Sequence, residues 1–390
     1  MGALTGLKIL DFSTLLPGPY ATLVMADMGA EVVSVVAPDR VDLVTQWPPV
    51  IRESEGEDGK GITAAAAWLG RNKKSIFVNL KTPEGIEAIR RLVTPEEKGG
   101  GGFDIIMEQF RPGVMDRLGI GYEALSELNP ALIFCSLTGY GQTGPMSMRA
   151  GHDINYMSRS GNMNQAGRKE TGPVLTNMQV ADVAVGSMNS VVSILAAVNY
   201  RNNTGEGQYL DVAMMDGMIP FNSMDGASWL VGGESPERET QLLNGGGIYD
   251  FYETADGRYM SVGSLEPKFF ADLCKGLELD AKADKEQIRQ RFREKTLSQW
   301  CEVFSRLDAC VEPVLTMEEM REDEQVKARE MLPEVEIPGT EISVQQLGNP
   351  MKLSKCPVEY RHAGFPAGYN TDEVLVKLGF NEEEIQLIKK

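Results

Sequence analysis

The chain has 390 residues and a formal net charge of −18, from 38 basic and 56 acidic side chains. Its length predicts two domains, and so acidic a surface argues against nucleic-acid and anionic-lipid partners. Hydrophobic residues make up 42% of the chain, and we find no uninterrupted apolar run of the roughly 18 residues that would predict a membrane span.

The first half of the chain alternates strand and helix patterns. Helix patterns follow Leu16–Pro19 and begin at Pro83, and a long apolar helix is predicted at 181–199. Short apolar runs predict six strands, at 7–12, 32–36, 75–79, 104–108, 132–136 and 209–212. Continuously apolar strands separated by helices suit a parallel sheet covered on both faces, so we predict an α/β domain.

The pattern changes after about residue 225. A hairpin is predicted at 248–262 around an Asp256-Gly257 turn, and helices at 267–277 and 297–307 complete a smaller α+β domain. We therefore expect a large domain at 1–225, a small domain at 226–332, and a return to the large domain over 333–390. Two helices are predicted in the returning segment, at 371–378 and 381–388, and loops are predicted at 52–60 and 99–102.

The cysteines and the N-terminus bear on the cellular location. The five cysteines have no CxxC spacing and are odd in number, which favours free thiols in a reducing compartment over disulfides or a zinc site. The N-terminus has no basic segment followed by a long apolar one. We therefore expect a cytoplasmic protein without a metal site.

Histidine and carboxylate residues are the candidates for proton transfer. The chain has two histidines; His362 lies in a Pro/Gly-flanked connection and is interpreted as structural or exposed. His152 lies in a predicted loop and is either a hydrogen-bonded structural residue or a base. Asp182, at the start of the long helix, is either a helix cap or an acid whose pKa is raised by burial. Glu266 precedes a helix and, read alone, would be a cap.

Several segments are candidates for binding an anionic ligand. Leu16–Pro19 lacks the glycine spacing of a dinucleotide fingerprint, which argues against a nicotinamide enzyme, and no GxxxxGK[ST] loop occurs. The basic run from Arg71 to Lys74 is either a solvated charge cluster or a site for nucleotide phosphates. Arg111 and Arg117, after the fourth strand, would add to such a site at the carboxyl edge of the sheet.

Taken together, these segments resemble the family III CoA-transferase superfamily, and within it the α-methylacyl-CoA racemases. The likeness extends over residues 5 to 330. It is carried by Leu16–Pro19 with 28–33, by 110–114 with 117–119, by 138–145, by 151–156, by 205–208 with 214–217, and by 252–259 through Glu266 and Pro267.

The resemblance implies a CoA thioester substrate, a Rossmann-like sheet in the larger of two domains, and a dimer of interlocked chains. It implies that His152 and Asp182 are catalytic and that Glu266 pairs with the histidine. The residues it implies for CoA binding are the basic pair Lys73 and Lys74 together with Phe110, Arg111, Arg117, Gly151, Asp153, Asn155 and Tyr156. Ala37 stands where relatives often carry an arginine, for which Arg40 is a substitute, and the segment 42–67 is longer than expected.

The mechanism implied for a racemase of lipid metabolism is proton exchange at the carbon next to the thioester carbonyl. His152 would act on one face and protonated Asp182 on the other, while backbone N–H groups near Asp182 would stabilise the enolate oxygen. No metal, redox group or cofactor beyond CoA is expected. Two alternatives stay open: CoA transfer through an Asp182 acyl anhydride covered by the 245–247 loop, and a CoA-binding scaffold without turnover. The acyl chain is not determined.

Overall fold

A six-stranded parallel sheet forms the centre of the large unit in the computed structural model, which describes residues 1–51 and 61–390. In space its strands run β5-β2-β1-β6-β7-β8, all neighbours being parallel. This is the order of a doubly wound sheet, whose direction of winding reverses between β1 and β6. The strands of this part of the chain are β1 Lys8–Asp11, β2 Glu31–Val36, β3 Val50–Ile51, β4 Ile62–Thr63, β5 Lys73–Phe77, β6 Ile105–Glu108, β7 Ile133–Thr138 and β8 Gln208–Ala213.

Helices alternate with these strands and continue to the C-terminus. They are α1 Pro17–Asp27, α2 Ala64–Leu69, α3 Pro83–Val93, α4 Val114–Arg117, α5 Tyr122–Ser126, α6 Asp153–Arg159, α7 Asn162–Gln165, α8 Met188–Thr204, α9 Met214–Met218, α10 Ser223–Gly232, α11 Pro267–Leu277, α12 Lys285–Phe292, α13 Leu297–Phe304, α14 Met317–Glu322, α15 Glu324–Ala328, α16 Thr371–Lys377 and α17 Glu382–Lys389.

One face of the sheet is covered by α3 and the two C-terminal helices. Helix α3 starts where Thr82 caps the Gly85 N–H and Pro83 occupies the first turn. Its apolar stripe, which includes Ile89 and Leu92, packs with sheet residues and with the C-terminal helices in one buried cluster. The returning segment therefore completes the core of the large unit rather than forming a separate domain.

The other face carries α1 and a helix from Val180 to Thr204 whose first part, Val180–Ser187, is π-helical. This helix is long and apolar enough to cross a membrane by length and composition. It packs on α1, β7 and β8, and buried helices of globular cores have the same length and composition. Among the described residues, it is the one helix that meets this criterion.

Two two-stranded sheets complete the large unit. Strand β3 pairs with β4, and β12 Glu334–Glu336 pairs with β13 Ser343–Gln345. Both pairs contribute to a small apolar cluster that contains Ile62 and Val335. Through this cluster, the C-terminal segment that contains β12 and β13 packs against β3 and β4.

The small unit comprises Ser158–Asn177 and Ile219–Ala328. Its antiparallel sheet has the order β11-β10-β9, from β9 Asp250–Glu253, β10 Tyr259–Val262 and β11 Val311–Pro313. The core packs Trp300 and Phe292 with the sheet residue Tyr252. The Arg168 guanidinium donates hydrogen bonds to Asp250, in the hairpin, and to Glu239. These contacts connect the 158–177 segment to residues that are far away in sequence.

The sequence predictions can now be compared with the structure. The α/β class, the six parallel strands and the hairpin are confirmed. His152 lies in a loop, as predicted, but helix α6, which begins at the next residue, was not predicted. The sequence also gave no sign that residues 158–177 belong to the small unit. The loop predicted at 52–60 lies outside the described residues.

Candidate active site

The carboxyl edge of the parallel sheet contains a cavity of about 530 Å³. Residues that follow β1, β2, β5 and β6 line it, which is where an open α/β sheet binds ligands. Its walls are mainly apolar, with Phe12, Val36, Val78 and Phe110 among them. A flat ring system with attached polar groups suits such a cavity, because apolar walls and a few polar side chains are typical of small-molecule sites.

Two of the predicted CoA-binding residues line this cavity. Arg40 is exposed there, in the loop after β2, and Phe110 forms part of the wall. Lys81 and Asn79 also line the cavity, and the sequence analysis missed both. Their one signal was their position directly after a predicted strand.

The two predicted arginines after β6 lie elsewhere. Arg111 lines a second cavity, of about 300 Å³, together with Glu108 and Tyr209. Arg117 is an exposed residue at the end of α4 and lines neither of the two cavities. Phe110 and Arg111, both of which the resemblance implies for CoA binding, therefore line different cavities.

The predicted basic pair Lys73 and Lys74 is divided by the alternation of side chains along β5. The Lys73 ammonium is buried, with a relative exposure of 3%, and lies 3.4 Å from the Asp11 carboxylate and 2.7 Å from the Thr22 hydroxyl. Lys74 is partly exposed and pairs with Glu373. Lys73 thus carries a buried charge and Lys74 a partly exposed one, and both line a further cavity of about 350 Å³ together with Arg40.

His152 occupies the turn that leads into α6. Its backbone N–H donates to Asn155 Oδ1 at 3.0 Å, and its carbonyl accepts the Asn155 N–H at 2.8 Å. These reciprocal bonds fix the backbone of the turn while the residue itself stays exposed. Asn155, predicted to bind CoA, therefore acts on the conformation of the histidine turn.

Tyr156 packs beneath the same turn. Its hydroxyl donates to the Gly151 carbonyl at 2.5 Å, and its ring meets Tyr140 edge to face. A Cβ on Gly151 would lie 2.7 Å from this ring and one on Gly139 would lie 2.3 Å from it, so both positions require glycine. Tyr156 is buried, and the predicted pocket residues Gly151 and Tyr156 form the support of the turn rather than an open surface.

Asp182 lies in the first turn of the π-helical segment, an element that is rare and often found at functional sites. It is not the capping residue, which is Gln179 and makes no side-chain cap. Instead, Asp153 Oδ1 accepts the Asp182 N–H at 2.9 Å, and the same carboxylate accepts the Ala181 N–H. Because Asp153 follows His152 directly, one carboxylate connects the histidine turn to the aspartate turn.

Burial and, second, the negative charge of Asp153 raise the pKa of Asp182 to about 7. Among the described residues, no cationic side chain is one of the groups that shift it. Burial first and the Asp182 charge second also raise the pKa of Tyr156, so the phenol stays protonated near neutral pH. The Asp182 carboxyl is therefore able to gain and lose a proton near neutral pH.

The predicted enolate site near Asp182 needs a correction. Its N–H and that of Ala181 are already donated to Asp153. A bound oxygen would have to compete with a carboxylate for them, and charged acceptors form the stronger bonds. The N–H of Asp182 is thus a structural donor.

Glu266 lies in the small unit, at the residue before α11. It is exposed and its carboxylate does not cap the helix. Glu266 thus occupies the N-cap position of α11 without a side-chain capping bond, and its pairing with His152 stays a prediction. In the same unit, the Gly245 carbonyl accepts a hydrogen bond from Lys285. Within residues 1–51 and 61–390 no group of three or more His, Cys, Asp or Glu residues is placed to hold a metal ion.

The fold and the cavity define a class of protein: a two-unit α/β protein with a doubly wound sheet and a cavity at the sheet's carboxyl edge. The family model for CoA-transferase family III matches residues 4–371. The chain belongs to this family.

Individual relatives carry names from two reactions. The chain is 34% identical over 397 residues to the alpha-methylacyl-CoA racemase of Homo sapiens, an alignment that covers 98% of this chain and 95% of the relative. It is 32% identical over 395 residues to the succinate–glutarate CoA-transferase of Agrobacterium fabrum, covering 96% and 95%. Among solved structures, a CaiB/BaiF family protein from Brucella suis has a TM-score of 0.82 and 26% identity, covering 97% of this chain and 99% of that one. The protein is thus a family III enzyme with relatives among both racemases and transferases.

Proposed function

We propose that the protein is an epimerase of 2-methylacyl-CoA thioesters. The observation that carries the proposal is the Asp182 carboxyl with its pKa of about 7, joined through Asp153 to the turn that presents His152. An imidazole and a carboxyl group with a raised pKa form an acid–base pair for moving a proton in either direction. The similarity to a racemase over 98% of the chain supports the same reaction.

In the proposed reaction the neutral imidazole of His152 removes the proton next to the thioester carbonyl, giving an enolate. Asp182, protonated, then donates its proton to the opposite face of the same carbon. The imidazole ends as the cation and Asp182 as the carboxylate, and both groups return to their starting states by proton exchange with water. The reverse direction uses the same groups in exchanged roles, each worth roughly 10²- to 10⁴-fold in rate.

We propose that the nucleotide part of CoA occupies the cavity of about 530 Å³, with Arg40 at its phosphate groups and Phe110 in its wall. Remote binding of this kind supplies energy for orienting the acyl group without changing the chemistry. A guanidinium is suited to phosphate because its donors are arranged as a fork. The substrate would then hold the reacting carbon at the carboxyl edge of the sheet.

The test is deuterium uptake in D₂O from each pure enantiomer of a 2-methylacyl-CoA, followed by NMR or mass spectrometry. The wild type should incorporate deuterium at the α-carbon and produce both stereoisomers. His152→Gln should lose roughly 10²- to 10⁴-fold of the exchange from one face, with the Kd for CoA changed only slightly. His362→Gln is the matched control, because the second histidine bonds its own neighbour's carbonyl and lies in the returning segment.

Exchange by His152→Gln at the wild-type rate would remove the histidine from the mechanism. A wild type that shows no uptake from any 2-methylacyl-CoA would reject the epimerase reaction altogether.

The second candidate is CoA transfer between carboxylic acids, which the similarity to a succinate–glutarate CoA-transferase favours. The ionised Asp182 would attack the thioester carbonyl, forming a mixed anhydride and releasing CoA thiolate. The thiolate would then attack the Asp182 carbonyl, releasing the first carboxylic acid and leaving CoA as a thioester on Asp182. A second carboxylate would attack this thioester and release the thiolate, which would attack the new acyl carbonyl to give the new acyl-CoA and free Asp182. Incubation with an acyl-CoA and peptide mass spectrometry would detect the acylated Asp182. Finding it, together with CoA transfer to free acids, would replace the first proposal.

We propose in addition that the protein is a homodimer. Helix α10 of the small unit has no buried residue, and Leu230 and Val231 on it are 76% and 93% exposed. Apolar surface of this kind is typical of a face that a partner covers. The oligomeric state is measured by light scattering, and Leu230→Lys should weaken association. A cytoplasmic location and the lack of any cofactor beyond CoA stay predictions.

A further inference from the structure

Asp153 makes a contact that the sequence analysis did not foresee. It was grouped with the CoA-binding residues, yet its carboxylate accepts two backbone N–H groups at the start of the π-helical segment, those of Ala181 and Asp182. These are the N–H groups that a helix leaves without an internal partner. The residue at the usual capping position, Gln179, does not satisfy them with its side chain.

The cap is therefore supplied by a residue 29 positions away in sequence. A local cap would hold only the end of the helix on which it lies. This one holds the turn of Asp182 against the turn of His152, because Asp153 is the first residue of α6 and follows His152 directly. The relative placement of the two proton-transfer groups thus depends on the Asp153 carboxylate.

Among the described residues, Asp153 is the charged group that shifts the pKa of Asp182. Helix α1 packs on the π-helical segment and carries Asp27, which Arg71 pairs, and α9 carries Asp216, which is exposed. From α6, Tyr156 stays protonated near neutral pH. The Asp182 carboxyl therefore has one charged partner of its own sign at the same turn.

We infer that Asp153 is a positioning residue: it holds the Asp182 turn against the His152 turn and sets the proton affinity of Asp182 through its charge. The inference rests on the proposed role of Asp182 in the reaction. It assigns Asp153 to the acid–base machinery instead of to ligand binding.

Two substitutions separate the two effects of Asp153. Asp153→Asn keeps an oxygen that can accept the Asp182 N–H but removes the charge. Asp153→Ala removes both the acceptor and the charge, and the N–H groups are then without their partner. Asp216→Asn, an exposed aspartate on α9, is the matched control for loss of one negative charge.

The first readout is α-proton exchange from a 2-methylacyl-CoA, resolved into kcat and KM over a range of pH. Asp153→Ala should lower kcat by roughly 10- to 100-fold, since small misplacements of reacting groups are costly, with KM within about 3-fold of the wild type if Asp153 does not contact the ligand. Asp153→Asn should restore most of kcat while moving the limb of the pH profile that belongs to Asp182 to lower pH. Asp216→Asn should change neither.

The second readout does not require turnover. ¹³C NMR of protein labelled at aspartate carboxyl carbons, with the Asp182 signal assigned through Asp182→Asn, reports the titration of Asp182 directly. The Asp182 midpoint should be lower in Asp153→Asn than in the wild type. If the protein proves to be a transferase, the same titration still tests the inference, and the rate of Asp182 acylation replaces exchange as the activity.

Three results would overturn the inference. One is an Asp182 midpoint that is the same in the wild type and in Asp153→Asn. Another is an Asp153→Ala enzyme with the wild-type kcat. The third is a KM that rises greatly in both variants at unchanged kcat, which would return Asp153 to ligand binding.

Discussion

Two acidic regions of the large unit differ in what surrounds their carboxylates. Asp27 is paired with Arg71 through contacts of 2.7 and 3.0 Å, and Asn72 and Asn349 add hydrogen bonds. Asp182 has no cation among the described groups that shift it, and its charged neighbour is Asp153, another carboxylate. The carboxylate of the first region is compensated by a cation, whereas burial and the Asp153 charge raise the pKa of Asp182 in the second to about 7.

The same contrast applies to the basic run at 71–74, which the sequence leaves open as a solvated charge cluster or a phosphate site. A dense group of positive charges in an acidic chain indicates a ligand site. Arg71 and Lys73, however, have relative exposures of 1% and 3% and form ion pairs with the buried Asp27 and Asp11. Burying a charge is costly unless it is paired. The charges of Arg71 and Lys73 are therefore needed to compensate buried carboxylates.

The largest expected effect concerns Asp182, which has no cation among the described groups that shift its pKa. Asp182→Asn should lower the rate of α-proton exchange by roughly 10²- to 10⁴-fold, because the amide cannot act as an acid. Stability at pH 8 should stay equal or rise, because a carboxylate without a cationic partner has been removed. Urea unfolding and the exchange assay on the same preparation measure both. A large loss of stability would mean that Asp182 is structural, like Asp27.

Substitution in the region around Asp27 should lower the free energy of unfolding. Arg71→Met leaves the Asp27 carboxylate buried without its cation, and removal of one partner of a buried pair costs about 3–5 kcal/mol of unfolding free energy. Lys74→Met is the matched control from the same run, because its pair with Glu373 is partly exposed and worth less than about 1 kcal/mol. Denaturant unfolding compares the two. Equal effects would contradict the distinction between buried and exposed charges.

Glu108 sharpens the comparison, because it is a buried carboxyl and no cation is among the described groups that shift its pKa. Its relative exposure is 4%, it accepts the Phe110 N–H at 2.7 Å, and burial raises its pKa from 4.5 to about 7. Since the folded pKa lies above the unfolded value, the protonated group's contribution to stability is fully present below about pH 4.5 and is lost as the pH rises through about 7.

Glu108→Gln should therefore be more stable than the wild type at pH 8, by about 1–3 kcal/mol. At pH 4 the difference should nearly vanish, because both side chains are then neutral. Thermal unfolding of the two proteins between pH 4 and 8 measures this. A variant less stable than the wild type at pH 8 would show that the carboxylate is compensated after all.

The smallest effect concerns the cavity of about 530 Å³, where an exposed charge meets solvent. Arg40→Gln should weaken CoA binding by roughly 5- to 10-fold, the equivalent of about 1 kcal/mol for a solvent-exposed charged contact. Calorimetry with CoA measures the Kd, and the rate of exchange at saturating substrate should be unchanged. An unaltered Kd would remove Arg40 from the proposed phosphate contacts.

The sequence by itself determined the parallel sheet, the hairpin and the two C-terminal helices, since each depends on apolar periodicity and on glycine and proline within a short stretch. It also identified His152 and Asp182 as candidates, through a resemblance to a known family. It did not indicate the burial of Lys73 and Tyr156 or the contact of Asp153 with the Asp182 N–H, and it missed helix α6 and the membership of 158–177 in the small unit.

Only the tertiary structure decided those points. The pairing of Lys73 with Asp11, of Arg71 with Asp27, and of Asp153 with the Asp182 N–H joins residues that are 62, 44 and 29 positions apart. No local pattern contains both partners of such a contact. Whether a charged side chain serves the core or the chemistry is set by burial and by the sign of its neighbours, and both are properties of the folded chain.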